Sequence, residues 1–203
     1  MDPEIAENHK RYLERKELNK SFGYDIDRER EFILEQAQPV SGKILEAGTG
    51  KGHFALTLAK AGYRFVTFDI SPEEQRFAKL NLAYAGLENA ADFRIENAER
   101  TGFADNSFDA VFSVNVLHHL RNAYQVIDEL LRLVSSGGKL VLADFTPEGL
   151  KIMDRIHGLE GRKHEVGEIC MDDARSYLIK KGCRVKSSQS ACQCVLVARK
   201  GSV

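Results

Sequence analysis

The stretch Ile44-Leu45-Glu46-Ala47-Gly48-Thr49-Gly50-Lys51-Gly52-His53-Phe54, written ILEAGTGKGHF, decides how the rest of the chain is read. A short apolar run ends beside an acid, glycines follow at alternate positions, and a helical pattern begins at Phe54. Glycine supplies the backbone freedom of a tight strand-to-helix turn. It also removes the side chains that would keep a ligand away from the loop. Alone, the pattern serves either purpose.

Outward from this loop the pattern repeats. Residues 43–47 predict a strand and 54–61 a helix closed by Gly62. Residues 64–69 (RFVTFD) predict a second strand, and 72–85 a helix with Pro72 in its first turn and Gly86 at its end. Strands are expected at 91–95, 110–114 and 139–145, with a helix near 123–134 and a turn at Ser135-Ser136-Gly137-Gly138. Strands alternating with helices argue for a parallel sheet covered on both faces, and right-handed crossovers make it doubly wound.

The later part of the chain departs from this rhythm. A helix at 172–181 closes at Gly182, and strands at 183–187 and 192–199 follow with no helix between them, which predicts an antiparallel hairpin. A turn about Ser188-Gln189 would set Cys183 opposite Cys194, and Cys192 and Cys194 would share a face. The fold class is therefore α/β: a doubly wound, mostly parallel seven-stranded sheet with a C-terminal antiparallel hairpin. Residues 1–38, helical at 4–20 and 27–38 around a Phe22-Gly23-Tyr24 break, form an N-terminal cap; residues 39–203 form the α/β body of a single globular domain.

Composition narrows the function. The chain has 203 residues and a formal net charge of -1, which gives no general electrostatic case for nucleic acid or an anionic membrane as partner. No run approaches the roughly 18 apolar residues of a membrane-spanning helix. The charged N-terminus lacks the apolar core of a signal peptide, so a cytoplasmic protein is expected. Four cysteines suit buried thiols better than a disulfide scaffold, and CxC without a second pair is weak for zinc, so no metal is expected. Asp25, Asp27 and Glu29 alternate like a calcium loop but lack its glycine and distal glutamate, and read as a solvated helix start.

Two acids sharpen the glycine loop. Asp69 ends the second strand, on the side where ligands lie in this architecture, and a carboxylate there can accept both hydroxyls of a ribose. That chemistry is common to NAD and S-adenosylmethionine. Glu46 discriminates between them, because a carboxylate aimed at the loop suits a cationic amine and opposes a pyrophosphate.

Over residues 40–145 the chain resembles class I S-adenosylmethionine-dependent methyltransferases. ILEAGTGKGHF is similar to the family's first motif, and FDIS (Phe68-Asp69-Ile70-Ser71) to its second. IENAER, from Ile95 to Arg100, resembles the third, and FADNSFDAVFSVNVLHHL, from Phe103 to Leu120, resembles the fourth. The resemblance implies a cofactor site made of Glu46, Gly48, Thr49, Gly50, Asp69, Ile70, Asn97, Ala98 and Asn115. Ile70 would lie against the adenine, Asn97 and Ala98 at its edge, and Asn115 at the methionine end. Asn97 stands where family members often carry Asp, yet an amide still offers a donor and an acceptor. S-adenosylmethionine would be the cofactor and S-adenosylhomocysteine the product.

Methyl transfer from a sulfonium is a direct displacement, so the protein supplies orientation, a dry pocket and sometimes a base. His118 is the candidate base, with packing as the competing reading for the His118-His119 pair. His157 and His164, in the 146–169 insertion, read as loop residues near the substrate cover. Phe22 and Tyr24 either close over the cofactor or anchor the N-terminal helices. The implied activity is methyl transfer to a small-molecule acceptor whose identity, like the oligomeric state, the residues leave open. The alternatives are a binding module of the same fold without transfer and an NAD-dependent oxidoreductase, the latter disfavoured by Glu46 and the hairpin.

Overall fold

The computed structural model describes residues 2–159, 161, 167 and 169–200. A seven-stranded sheet runs through it in the order β3-β2-β1-β4-β5-β7-β6. Its strands are β1 (Ile44–Ala47), β2 (Phe65–Asp69), β3 (Ala91–Ile95), β4 (Phe108–Val114), β5 (Val134–Phe145), β6 (Cys183–Gln189) and β7 (Gln193–Lys200). The first five pair in parallel and β7 pairs antiparallel to both β5 and β6. The predicted mixed sheet with a reversed hairpin is what forms.

Alternation along the central strands builds two apolar layers. Leu45, Ala47, Val111, Leu140 and Leu142 face one side, where α5 (Ala123–Leu133) and α7 (Met171–Lys180) cover them. Ile44, Ala110, Phe112, Val141 and Ala143 face the other, under α2 (Ile26–Gln36) and α3 (His53–Lys60). Burial on both faces explains why β1 is buried at all four positions. On α5, Val126, Ile127, Leu130 and Leu133 are almost wholly buried, each stabilising the fold by roughly 1.5–3 kcal/mol. Ser71 starts α4 (Pro72–Tyr84) by accepting the Glu74 N–H at 3.2 Å, with Pro72 in the first turn.

The N-terminal helices lie on this frame. α1 (Pro3–Ser21) packs along α4, joined by an Asn8–Asn81 hydrogen bond of 2.8 Å and a Glu4–Arg76 ion pair. Lys139 fastens the following loop by donating to the carbonyls of Ala37 and Pro39, and burial lowers its pKa to about 8.

Five expectations need correction. Residues 135–138 are not a turn: they belong to β5, which bulges so that Phe108 pairs Val134 while Ala110 pairs Lys139. Gly137, at φ +79°, absorbs the extra length. The hairpin turns later than predicted, because the Ser190 N–H donates to Gln193 O at 2.8 Å and Ser190 Oγ accepts the Gln193 N–H at 2.9 Å. Cys183 therefore pairs Lys200 and Cys194 pairs Gln189. Cys192 precedes β7 and is buried against Tyr24 and Ile156, whereas Cys194 packs on the α5 side, so the two thiols do not share a face. The insertion is helical over α6 (Pro147–Leu159), which carries His157, while His164 lies outside the described residues. Finally, Glu29 is buried, and its carboxylate accepts from Ser190 rather than facing water.

Candidate active site

β1, β2 and β4 are parallel neighbours, so their carboxyl ends meet on one edge of the sheet, where open α/β sheets hold ligands. A cleft of about 760 Å³ opens there. Glu46, Gly48, Thr49 and Gly50 line it from the end of β1 and the following loop, Asp69 and Ile70 from the end of β2. Asn97 and Ala98 reach it after β3, and Asn115 after β4. Every residue expected to hold a cofactor is thus on one wall.

Two of the glycines serve different ends. Gly52 has φ +80°, and a Cβ there would come within 2.8 Å of the Ala78 Cα, so it permits α4 to pack against the loop. Gly50 has φ +49°, and a Cβ there would meet no atom within 4 Å. Its open face belongs to the cleft. The Gly50 N–H donates to Asp69 Oδ2 at 2.8 Å, and the Ser71 N–H donates to Oδ1 at 2.9 Å. These bonds aim the carboxylate and leave each oxygen a further lone pair for a ribose hydroxyl. Ile70 is 68% exposed, an apolar face held in the cleft and suited to a purine ring. Asn97 Oδ1 accepts the Glu99 N–H at 2.9 Å, which fixes the side chain with its NH2 still available to donate.

Glu46 departs from its expected state. It is 1% exposed, and burial pushes its carboxyl up to about 8, against the opposing pull of the Thr67 hydroxyl and the Arg30 charge. Thr67 Oγ1 donates to Glu46 Oε2 at 2.6 Å and lies 2.6 Å from Thr49 Oγ1, which accepts from Gln75 at 3.3 Å. The Thr49 hydroxyl is therefore engaged inside the protein, and its contribution to the cleft is its backbone. Near neutral pH Glu46 keeps its proton until a cation arrives to stabilise the charged form. Beside it, Asn115 adopts φ +55°, a conformation asparagine tolerates better than most residues, and its Oδ1 is buried without a hydrogen-bond partner.

His118 stands apart from the cofactor wall. It lies on a short turn, Leu117–His119, and lines a smaller chamber of about 200 Å³, whose wall shares Arg30, Lys51, His53, Asn115 and His119 with the cleft. His119, its neighbour, faces both spaces. Asp144 grips His118 twice, accepting the backbone N–H at 2.9 Å and bonding Nδ1 at 2.6 Å, with both side chains buried. A carboxylate on Nδ1 keeps the proton there and makes Nε2 the basic atom.

Sequence reading missed Arg30, His53 and Asp144. Arg30 falls on the apolar stripe of α2 with Ile26, Ile33 and Leu34, at helical spacing, and an arginine inside such a stripe was the available signal. Asp144 was equally marked, as an acid inside the apolar run KLVLADF. His53 gave no comparable signal; burial holds its imidazole down to about 3. Tyr24 proves to be an anchor: it is 2% exposed, packs edge-on to Phe145, and its hydroxyl accepts from Arg30 at 2.9 Å. Among the described residues, no group of three His, Cys, Asp or Glu side chains is placed to hold a metal.

Residues 45–142 match the family model described as a methyltransferase domain. Over this span, just under half of its length, the chain is similar to methyltransferase domains. A curated relative, 27-O-demethylrifamycin SV methyltransferase of Amycolatopsis mediterranei, is 30% identical over 157 residues, covering 74% of this chain and 57% of that protein. The chain spans about half the length of the curated relatives it matches. Among solved structures, magnesium protoporphyrin IX methyltransferase from Synechocystis with bound SAH superposes at a TM-score of 0.60 and 24% identity, over 87% of this chain and 82% of that one. The cyclase SpnF superposes at 0.68 and 19% identity, over 86% and 81%. At such identities these likenesses establish the fold. Among the described residues, no helix is long and apolar enough to cross a membrane.

Proposed function

We propose that this chain binds S-adenosylmethionine in the larger cleft and transfers its methyl group to a small-molecule acceptor. The observation that carries the reading is the pair of carboxylates in one glycine-lined cleft. Asp69 is aimed by two backbone N–H groups with acceptor capacity left for a ribose, and Glu46 is a buried acid that ionises readily only beside a cation. A nucleoside carrying an amine satisfies both. The open glycine at Gly50 and the exposed face of Ile70 support the same ligand, and the name of the rifamycin relative supports a small-molecule acceptor.

When bound, S-adenosylmethionine would supply an electrophilic methyl carbon on a sulfonium, with the neutral thioether as the leaving group that takes the C–S electron pair. The protein's share is orientation and proton removal. Asp69 holds the ribose, Asn97 and Ala98 the adenine edge, and Glu46 with Asn115 the amine. His118, positioned by Asp144, takes the acceptor's proton on Nε2 where the acceptor is a hydroxyl or amine. Residues 1–38 serve as a cap over the acceptor side.

Calorimetric titration with S-adenosylhomocysteine tests the reading. A folded sample should bind it, and Asp69→Ala should weaken binding about ten- to a hundredfold, as loss of hydrogen bonds to a charged group implies. Absence of binding by the folded wild type would sink the cofactor assignment.

A further inference from the structure

A groove between α1 and α4, beside the glycine loop, gathers positive charge. It holds about 290 Å³, with Arg11, Tyr12 and Arg15 lining it from α1, Phe77 from α4 and Lys51 from the loop. None of its lining residues is Asp or Glu, in a chain whose formal net charge is -1. Like charges on one concave wall raise the local potential and draw in an anion.

The groove is held in shape from within. Asn81 is 5% exposed; it accepts from Asn8 Nδ2 at 2.8 Å and donates to the Lys51 carbonyl at 2.9 Å. One chain of hydrogen bonds thus ties α1, α4 and the loop together. The Lys51 ammonium lies 5.7 Å from the centroid of the Phe77 ring and makes no ion pair among the described residues. Arg11 meets Glu7 through Nε alone, at 3.2 Å between exposed side chains, a pairing worth little. Arg15 has an interaction of its own, so an anion falls to Arg11 and Lys51. The guanidinium fork fits an oxyanion, and Tyr12 and Phe77 offer flat sides to the body that carries it.

The groove adjoins the smaller chamber. Arg15, Lys51 and His53 line both, and Lys51 and His53 also line the larger cleft. His53 Nδ1, at this junction, is buried without a hydrogen-bond partner. Arg11, Arg15 and Asn19 stand four residues apart, so one face of α1 passes over the groove and then the chamber. From Arg11 to Asn19 the helix rises about 12 Å.

We propose that the groove binds an oxyanion between Arg11 and Lys51, and that this is the acidic far end of an elongated methyl acceptor whose reacting end lies in the chamber. The acceptor half rests on the larger cleft's taking S-adenosylmethionine; the anion site itself does not. The phosphate or carboxylate can belong to the acceptor or to a separate small molecule. The continuous face of α1 favours the acceptor.

Calorimetry with defined probes tests both halves. In the first arm wild type is titrated with phenyl phosphate and with phenol, and the site predicts at least about tenfold tighter binding of the phosphate. Arg11→Gln lies on an exposed helix face outside the cleft. It should cut phenyl phosphate affinity about tenfold and leave phenol and S-adenosylhomocysteine within about threefold. Glu7→Gln, which releases Arg11, should strengthen phenyl phosphate binding. The site is overturned if folded wild type does not prefer the phosphate, or if Arg11→Gln keeps the full preference. In the second arm, protein saturated with S-adenosylhomocysteine is titrated with 4-hydroxyphenylalkyl phosphates of increasing chain length. A bridging acceptor predicts an affinity maximum near a span of about 12 Å, at least about tenfold above phenyl phosphate. A series without a maximum overturns the acceptor assignment and leaves a separate anion site. Failure of the cofactor reading looks different: folded wild type then binds phenyl phosphate but not S-adenosylhomocysteine, and the acceptor half falls with it.

Discussion

Replacing Glu46 by Gln should flatten the dependence of stability on pH. In the folded protein burial holds the Glu46 carboxyl at about 8, whereas the unfolded chain releases that proton near 4.5. Between these values the folded state binds more protons than the unfolded one, so this group makes stability fall as pH rises. The slope approaches about 1.4 kcal/mol per pH unit, or roughly 3 kcal/mol between pH 5 and pH 8, and it vanishes above the folded value. Glu46→Gln has the same shape, keeps an acceptor for the Thr67 hydroxyl and cannot ionise. Urea unfolding followed by far-ultraviolet circular dichroism at several pH values measures the difference, since the chain has no tryptophan to report by fluorescence. The variant should gain about 3 kcal/mol on wild type between pH 5 and pH 8. Its affinity for S-adenosylhomocysteine should lose the rise toward pH 8 that an ionising Glu46 gives wild type. Parallel stability curves for the two proteins would refute the reasoning, because they would mean that Glu46 is already ionised in the folded state.

Two further outcomes follow from the geometry. Asp144→Asn should lower kcat by about a hundred- to ten-thousandfold for a hydroxyl or amine acceptor. The same change should leave S-adenosylhomocysteine affinity within about threefold, a split that a merely structural aspartate would not give. Leu130→Ala, on the buried stripe of α5, should cost about 2–5 kcal/mol in urea unfolding.

Most of the cleft floor was legible because each of its signals is local. A strand, an acid and spaced glycines occupy consecutive positions, and Asp69 closes the next strand in the same rhythm. Residues on such a loop reach the site whatever the distant chain does. The chamber was not legible, because it joins Tyr24, Arg30, His118 and Phe145 from separate elements, and only tertiary packing makes them neighbours. The hairpin register failed for a smaller reason. Strand propensity carries no information about which serine will close a turn, and the Ser190 hydroxyl and backbone decided it. Glu46 shows a third kind of limit: its identity was readable, but its protonation depends on how completely it is enclosed.

The Tyr24 hydroxyl also accepts from Gln193 at 3.3 Å, across 169 residues of chain. Closing a loop of that length is slow compared with forming the neighbouring βα units, whose contacts are nearer in sequence. The residues that line the larger cleft run from Arg30 on α2 to Val126 on α5, so that space can take shape before β7 is laid down. The smaller chamber differs in one respect, since Tyr24 in its wall is tethered by the Gln193 amide of the hairpin. A chain in which only the β7 end has come loose would keep a place for the nucleoside and free the Tyr24 ring in the space beside it. Opening at that end would therefore separate holding one ligand from committing the other.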